Sequence, residues 1–328
     1  MSVAYELTAC PACGADRARE IASADDIRAE MELLWAFHTD RLRPDTPPPH
    51  LVDRVAFSQR PPLRVVRCTE CGLVYRNPRE RETELRDTYA GEAPDRDALA
   101  ALHDTQRAAY AGQVERLGEV VGRVGRVLEV GSYVGGFLAA AGEAGWRAEG
   151  LDVNPVANAF TRELGLEVTE GDLEGFAGPG AFDAVALWNC FDQLPDPGAA
   201  AHRAHELLAE GGVIAVRVPN GAFYAAVRER LAGPDARLAT MLLAHNNLLG
   251  FPYRHGFTVE SLDHLLARTG FTVERIYGDA LVPIADEWTQ GWAALEERVV
   301  KGALRLVAKG EAEAAPWIEV YARKLPAR

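Results

Sequence analysis

Residues 127–138 read VLEVGSYVGGFL: a short apolar run, a glycine-bearing loop, then a second apolar stretch at helical spacing. As strand, loop and helix, this segment is the first turn of an open parallel sheet, whose ligands bind beyond the carboxyl ends of the strands. Gly131 and Gly135 allow the tight turn and the close backbone approach that such a loop needs. The spacing is not the G-x-G-x-x-G of a diphosphate loop, and Glu129 stands two residues before Gly131. A carboxylate there suits an amine or a sulfonium better than a phosphate. Asp152, in LDVN twenty-one residues after Gly131, ends the next strand, where a carboxylate takes both hydroxyls of a ribose. Asp172, in GDL at 171–173, ends a third strand and can accept from an adenine amino group, although an Asp after Gly is also a common turn residue.

Downstream the alternation continues. Strands are expected at 126–131, 147–153, 166–171, 182–188, 213–218, 271–277 and 317–322. Helices are expected at 134–144, 157–164, 199–208 (stopped by Gly211-Gly212), 261–269 and 285–309, the last carrying Trp288 and Trp292. Continuous apolar strands alternating with helices predict an α/β sheet covered on both faces. Trp188 reads as a wall of the ligand site or as core, and Cys190 as a buried, inert thiol.

Residues 1–80 differ from the rest. Cys10-Pro-Ala-Cys13-Gly14 and Cys68-Thr-Glu-Cys71-Gly72 are two copies of one motif. Two residues between cysteines let both thiolates reach one ion, and four soft ligands describe a closed, structural zinc site. One helix is expected between the pairs, from Ala24 to Leu42, capped by Ser23, with Ile27, Met31, Leu34 and Trp35 on its packing face. His38 and His50 read as surface histidines. The division expected is a zinc-binding module at 1–80, a helical linker or lid at 81–121 and a core at 122–328 with a helical insertion near 285–309.

Over 328 residues, 35 basic against 48 acidic side chains leave a formal charge of −13, and no basic stripe offsets it. Such a chain repels polyphosphate, so nucleic acid is disfavoured as a partner. No apolar run approaches the length of a membrane span, and the first residues lack the basic and apolar regions of a secretory signal. A cytoplasmic, small-molecule enzyme is the class these features leave.

The blocks VLEVG (127–131), LDVN (151–154), GDL (171–173), FDAVALWN (182–189), LPDP (194–197), LLAEGGVIAVRVPN (207–220), GFTVESL (256–262) and TGFTV (269–273) occur in the order and spacing of one family. From Arg107 to Arg328 the chain resembles the class I S-adenosylmethionine-dependent methyltransferases. The resemblance implies a seven-stranded Rossmann-like sheet of order 3-2-1-4-5-7-6, its last strand antiparallel and supplied here by WIEVYARKLP. It also implies S-adenosylmethionine as cofactor, held by Glu129, Gly131, Ser132, Tyr133, Gly135, Asp152, Val153, Asp172, Leu173, Asn189 and Gln193. Two positions depart from the family pattern: Tyr133 replaces the middle glycine of the loop, and Gln193 replaces a common histidine.

The cysteine module followed by GLVYRNP (72–78) resembles bacterial methyltransferases of sugars and secondary metabolites, some of which methylate carbon. A small-molecule acceptor is therefore expected. His255, His245 and Tyr253 are the candidate catalytic residues, in a polar-aromatic stretch where related enzymes place substrate contacts. Arg254 reads either as solvated or as a holder of a substrate carboxylate or phosphate. Trp288 and Trp292 fit a lid over the ligand or a homodimer contact. Two other readings stay open: a cofactor-binding protein without transfer activity, and an RNA methyltransferase with a zinc reader.

Overall fold

The strand β6 (Arg126–Val130) runs up the middle of a seven-stranded sheet, because its side chains from Val127 to Val130 are buried on both faces. The structure, a computed structural model, describes residues 5–55, 61–81, 95–177 and 180–326. Beside β6 lie β7 (Arg147–Asp152) and β8 (Val168–Glu170) on one flank, and β9 (Phe182–Trp188) and β10 (Leu208–Pro219) on the other. The edge carries β12 (Phe271–Asp279), with β13 (Trp317–Lys324) inserted antiparallel between β10 and β12. Numbered within the sheet, the order is the expected 3-2-1-4-5-7-6. Among the described residues no helix is long and apolar enough to cross a membrane.

Several local expectations are corrected. β10 starts at Leu208 rather than 213, and Gly211-Gly212 lie in a bulge between Leu208 and Val213; the preceding helix ends at Leu207, before them. Two helices, Gly221–Arg228 and Ala236–Ala244, fill the stretch after β10. In the linker expected at 81–121, the helix Arg96–Val121 forms on an Asp95 cap, and residues 82–94 lie outside the described residues. The late helix spans Gly291–Gly310, so Trp288 precedes it in a turn and does not share a helix face with Trp292. Trp288 instead packs against His50, ring centroids 5.2 Å apart.

The N-terminal residues build their own sheet, of β2 (Ala18–Ala22), β3 (Val65–Cys68) and β4 (Val74–Arg76). Its fourth strand, β11 (His255–Gly256), comes from the far end of the chain and pairs with β4 through His255–Tyr75 and Gly256–Val74. A short ribbon of β1 (Tyr5–Glu6) and β5 (Arg79–Glu80) lies apart from it. The helix Ala24–Arg41 is capped by Ser23 with Asp26 in a reciprocal box, as its sequence indicates. Its buried face is Ile27, Glu30, Leu34, Phe37 and His38, while Trp35 is 42% exposed. His38 is thus core rather than surface, four residues from Leu34 on the packed side.

Among the described residues of 5–81, the buried apolar side chains join clusters shared with the rest of the chain. Cys10, Cys68, Cys71, Leu73 and Tyr75 belong to one apolar cluster with Leu128, Val130, Phe191 and Phe257. Ile27, Leu34 and Phe37 belong to another with Tyr224, Leu243, Phe251 and Leu304. Buried Glu30 ties the two parts together: it pairs with Arg228 Nε at 2.6 Å and accepts from Tyr224 Oη and the Gly250 amide. Among the described glycines the closest backbone approach is at Gly221, where a Cβ would lie 2.2 Å from the Gly256 carbonyl oxygen. Gly221→Ala is expected to cost about 1–3 kcal/mol through this backbone clash, read as a lower urea midpoint at unchanged slope.

Candidate active site

The loop after β6 is held by main-chain bonds at its glycines and by side chains at Tyr133 and Val134. The Gly131 amide donates to the Leu151 carbonyl at 2.8 Å, and Gly135 to Ser132 at 2.8 Å. Gly131 has φ +74°, and a Cβ there would lie 3.0 Å from Cys190 Cβ, so the position demands glycine on both counts. Tyr133, at the family's middle glycine, adopts φ +43°, the left-handed conformation a glycine would take. Its amide donates to Asp152 Oδ2 at 2.9 Å, and its carbonyl accepts from Thr161 Oγ1 at 2.9 Å. His103, on the helix Arg96–Val121, donates from Nδ1 to the Val134 carbonyl at 2.7 Å and clamps the loop from above.

Two carboxylates meet behind this loop. Glu129 is only 3% exposed, and its Oε2 has no hydrogen-bond partner. Burial, then the nearby Asp152 charge, holds its carboxyl well above the usual range. Asp152 is raised by burial too, against the pull of the Asn154 and Tyr133 amides. Ser132 is buried with its hydroxyl unpartnered. A buried carboxyl and hydroxyl without partners form a site waiting for a polar ligand, and a cation there would restore the Glu129 charge. Val153 is half-buried beside Asp152, and Leu173 is buried. Asp172 follows β8, and its Oδ1 accepts from the Gly175 amide at 2.8 Å.

The floor begins at Asn189, which is left-handed at φ +59°. Its side chain is held from two sides, by Tyr110 Oη at 3.3 Å and by Arg217, and its carbonyl accepts from Gln193 Nε2 at 2.7 Å. Arg217 is itself anchored by Asp279, with Nη2 at 2.8 Å. Tyr110 and Arg217 were not singled out from sequence, though an arginine inside the apolar run IAVRVP was a usable signal. Trp188 packs among Tyr110, Phe137 and Tyr321 and is core. Cys190 donates to the Val130 carbonyl, and burial raises its pKa well above the ordinary range, which disfavours the reactive thiolate.

The candidate catalytic residues are not brought to one place. His255 is 1% exposed, its ring lies against the Asp192 backbone, and Phe257 packs its ring against both His255 and Phe191. That sets it beside the turn Phe191–Gln193, directly after the floor. Asp192 in this turn is 1% exposed with both carboxylate oxygens unpartnered, and burial raises its pKa well above the usual range. His245 lies elsewhere, between Phe37 and the late helix, with Nε2 3.2 Å from Glu296. Tyr253 lines a separate cavity with Met31, Leu34, Arg54 and Phe251.

The pattern of a family described as a methyltransferase domain matches residues 102–276, just over half of the chain. The chain belongs to the S-adenosylmethionine-dependent methyltransferase family. No curated protein matches it. Among solved structures it is similar to an S-adenosylmethionine-dependent methyltransferase from Mesorhizobium loti, at 19% identity over 64% of this chain and 96% of that one, TM-score 0.43. It is also similar to one from Archaeoglobus fulgidus, at 16% identity over 74% and 100%, TM-score 0.44. The plantazolicin methyltransferase in complex with S-adenosylhomocysteine is similar at 13% identity over 74% and 94%, TM-score 0.45.

The methyltransferase has a second centre. Cys10 Sγ lies 3.6 Å from Cys71 Sγ and Cys13 Sγ 3.6 Å from Cys68 Sγ, and all four sulfurs fall within 4.8 Å of one another. Four zinc–sulfur bonds of about 2.3 Å in a tetrahedron separate the sulfurs by about 3.8 Å, so the set fits zinc. The Gly14 and Gly72 amides close matching turns onto the Cys10 and Cys68 carbonyls at 2.8 and 3.2 Å.

Proposed function

We propose that this methyltransferase transfers a methyl group to a small-molecule acceptor, with His255 as the base. The observation that carries this reading is a buried imidazole set against the Asp192 backbone, beside the Asn189–Gln193 floor. The acidic chain and the absence of a basic stripe support a small acceptor over RNA.

S-adenosylmethionine, when bound, supplies a methyl group already activated on a sulfonium. Glu129 and Asp152 would hold the cofactor's polar groups, with Ser132 and the Gly131–Gly135 loop as the cradle and Val153, Asp172 and Leu173 along the adenosine side. Asn189 and Gln193 would border the methyl end. The chain's own work is alignment and exclusion of water, which in favourable systems accounts for about 7–11 kcal/mol of a barrier. His255 takes the proton that the acceptor hydroxyl or acidic carbon gives up as its new bond to the methyl carbon forms. Burial holds this imidazole well below its ordinary pKa, so it is neutral and free to accept. Zinc at Cys10, Cys13, Cys68 and Cys71 is structural, since four thiolates leave no open position.

Labelled S-adenosylmethionine incubated with the enzyme and an extract is expected to label the small-molecule fraction. Label confined to RNA would overturn the acceptor class, and no label in any fraction would favour a binding protein without transfer activity. For the cofactor site, Asp152→Ala is expected to weaken S-adenosylhomocysteine binding by roughly tenfold to a hundredfold, the size of a charged hydrogen bond. Equal affinities by calorimetry would remove Asp152 from the ribose position.

A further inference from the structure

Arg254, one residue before His255, is 2% exposed, so the solvated alternative for this side chain does not hold. Its Nη2 donates to the Glu80 carbonyl at 2.9 Å, while Nε and Nη1 are buried with no partner. Two more arginines stand close by, each already given a carboxylate. Arg76 Nη1 is 2.9 Å from Glu80 Oε1, and Arg79 Nε is 2.9 Å from Glu6 Oε1. Among the described residues, then, three guanidinium groups share the carboxylates of Glu6 and Glu80, and Arg254 is the one whose buried donors lack a partner. Arg79 Nη1 also reaches the Pro195 carbonyl at 2.9 Å, which ties this cluster to the segment just after the Phe191–Gln193 turn.

A buried guanidinium does not shed its charge readily, and each unmade donor costs stability. Burial and the neighbouring Arg79 and Arg76 charges lower the Arg254 pKa to about 10, as expected of a cation short of negative partners. The two free donors, Nε and Nη1, lie on either side of the engaged Nη2 and diverge, so each can give one charge-assisted hydrogen bond to an oxyanion. We propose that Arg254 is the recognition site for an oxyanion on the acceptor, a carboxylate or a phosphoryl group, and so selects acceptors carrying such a group beside the atom presented to His255. This rests on the proposed acceptor side at His255.

The test uses the full-length, zinc-loaded chain saturated with S-adenosylhomocysteine, titrated separately with inorganic phosphate and with acetate by calorimetry. One of the two is expected to bind saturably at one site per chain, and whichever binds tells the phosphoryl from the carboxylate case. Arg254→Gln is expected to weaken that binding at least tenfold, and Arg254→Lys to keep part of it, as a point charge with fewer directed donors. Absence of saturable binding of either ion to the wild type would overturn the proposal, whatever the variants do. Equal binding to wild type and Arg254→Gln would do the same. S-adenosylhomocysteine affinity, read first, and labelled-methyl transfer report on the methyltransferase reading separately. Oxyanion binding that depends on Arg254 but survives without transfer would overturn the base at His255 and leave the oxyanion site standing.

Discussion

Cys68→Ser, or removal of the metal by a chelator, is expected to unfold more than residues 1–80. A structural zinc in a zinc-finger peptide contributes about 10–16 kcal/mol to folding, as large as the whole stability of a typical domain, about 5–15 kcal/mol. Sequence alone suggests a detachable module, whose loss would spare the core. The structure argues otherwise, because the cysteines share one apolar cluster with Leu128, Val130 and Phe257, and β11 completes their sheet. The expected result is about one zinc per chain by elemental analysis and, in the variant, a large fall in melting temperature. New proteolytic cleavage is expected both before residue 81 and around residues 250–260. A metal-free chain with unchanged melting and cleavage would refute the zinc assignment.

The second large effect is expected at His255. His255→Ala should lower transfer by about 10²–10⁴-fold, the usual contribution of a positioned base, with S-adenosylhomocysteine affinity unchanged. His245→Ala should change transfer little, since its ring is engaged by Glu296 away from the floor. The pH profile adds a check. Because burial depresses the His255 pKa, the base stays unprotonated as pH falls from 8 to 6, and transfer should not decline through that window on its account. A tenfold loss per pH unit below about 6.5 would mean an ordinary, exposed imidazole.

Stability behaves differently. His38, lowered to about 3, His245 and His255 are all held neutral in the fold, chiefly by burial. The unfolded chain binds protons at these positions below about pH 6.5 while the folded chain does not, so the share of stability set by these three histidines falls as pH drops below that point, while the raised carboxyls of Glu129, Asp152 and Asp192 act in the opposite direction.

The central sheet was legible because its inner strands, at 182–188 and 213–218, are near-continuous apolar runs that alternate with helices, the pattern of a sheet covered on both faces. Glu129, Gly131 and Asp152 were legible because the turn and the ends of adjacent strands lie at fixed separations in sequence. What sequence did not show depends on contacts between distant segments. β11 is two residues long, and only its pairing with β4 makes it a strand. The helices Gly221–Arg228 and Ala236–Ala244 bury their apolar sides against a helix some 200 residues earlier, through pairs such as Glu30 with Arg228. Arg254 was visible as a residue type, but its burial was not. Trp35 had the right spacing for the packed face of its helix and lies off it, because that face turns toward Phe37 and His38.

The sharing of β11 also bears on how such a protein can be recombined. Chimeras are usually built by crossing over in a linker, where few contacts are severed. Here a crossover anywhere between residues 81 and 95 would separate β4 from the strand that finishes its sheet, and Glu30 from Arg228. The N-terminal part brings in most of the sheet on which His255 sits and the two glutamates that compensate Arg76 and Arg79. It therefore cannot be exchanged as a cassette, and any acceptor preference set beside His255 is inherited jointly by both ends of the chain.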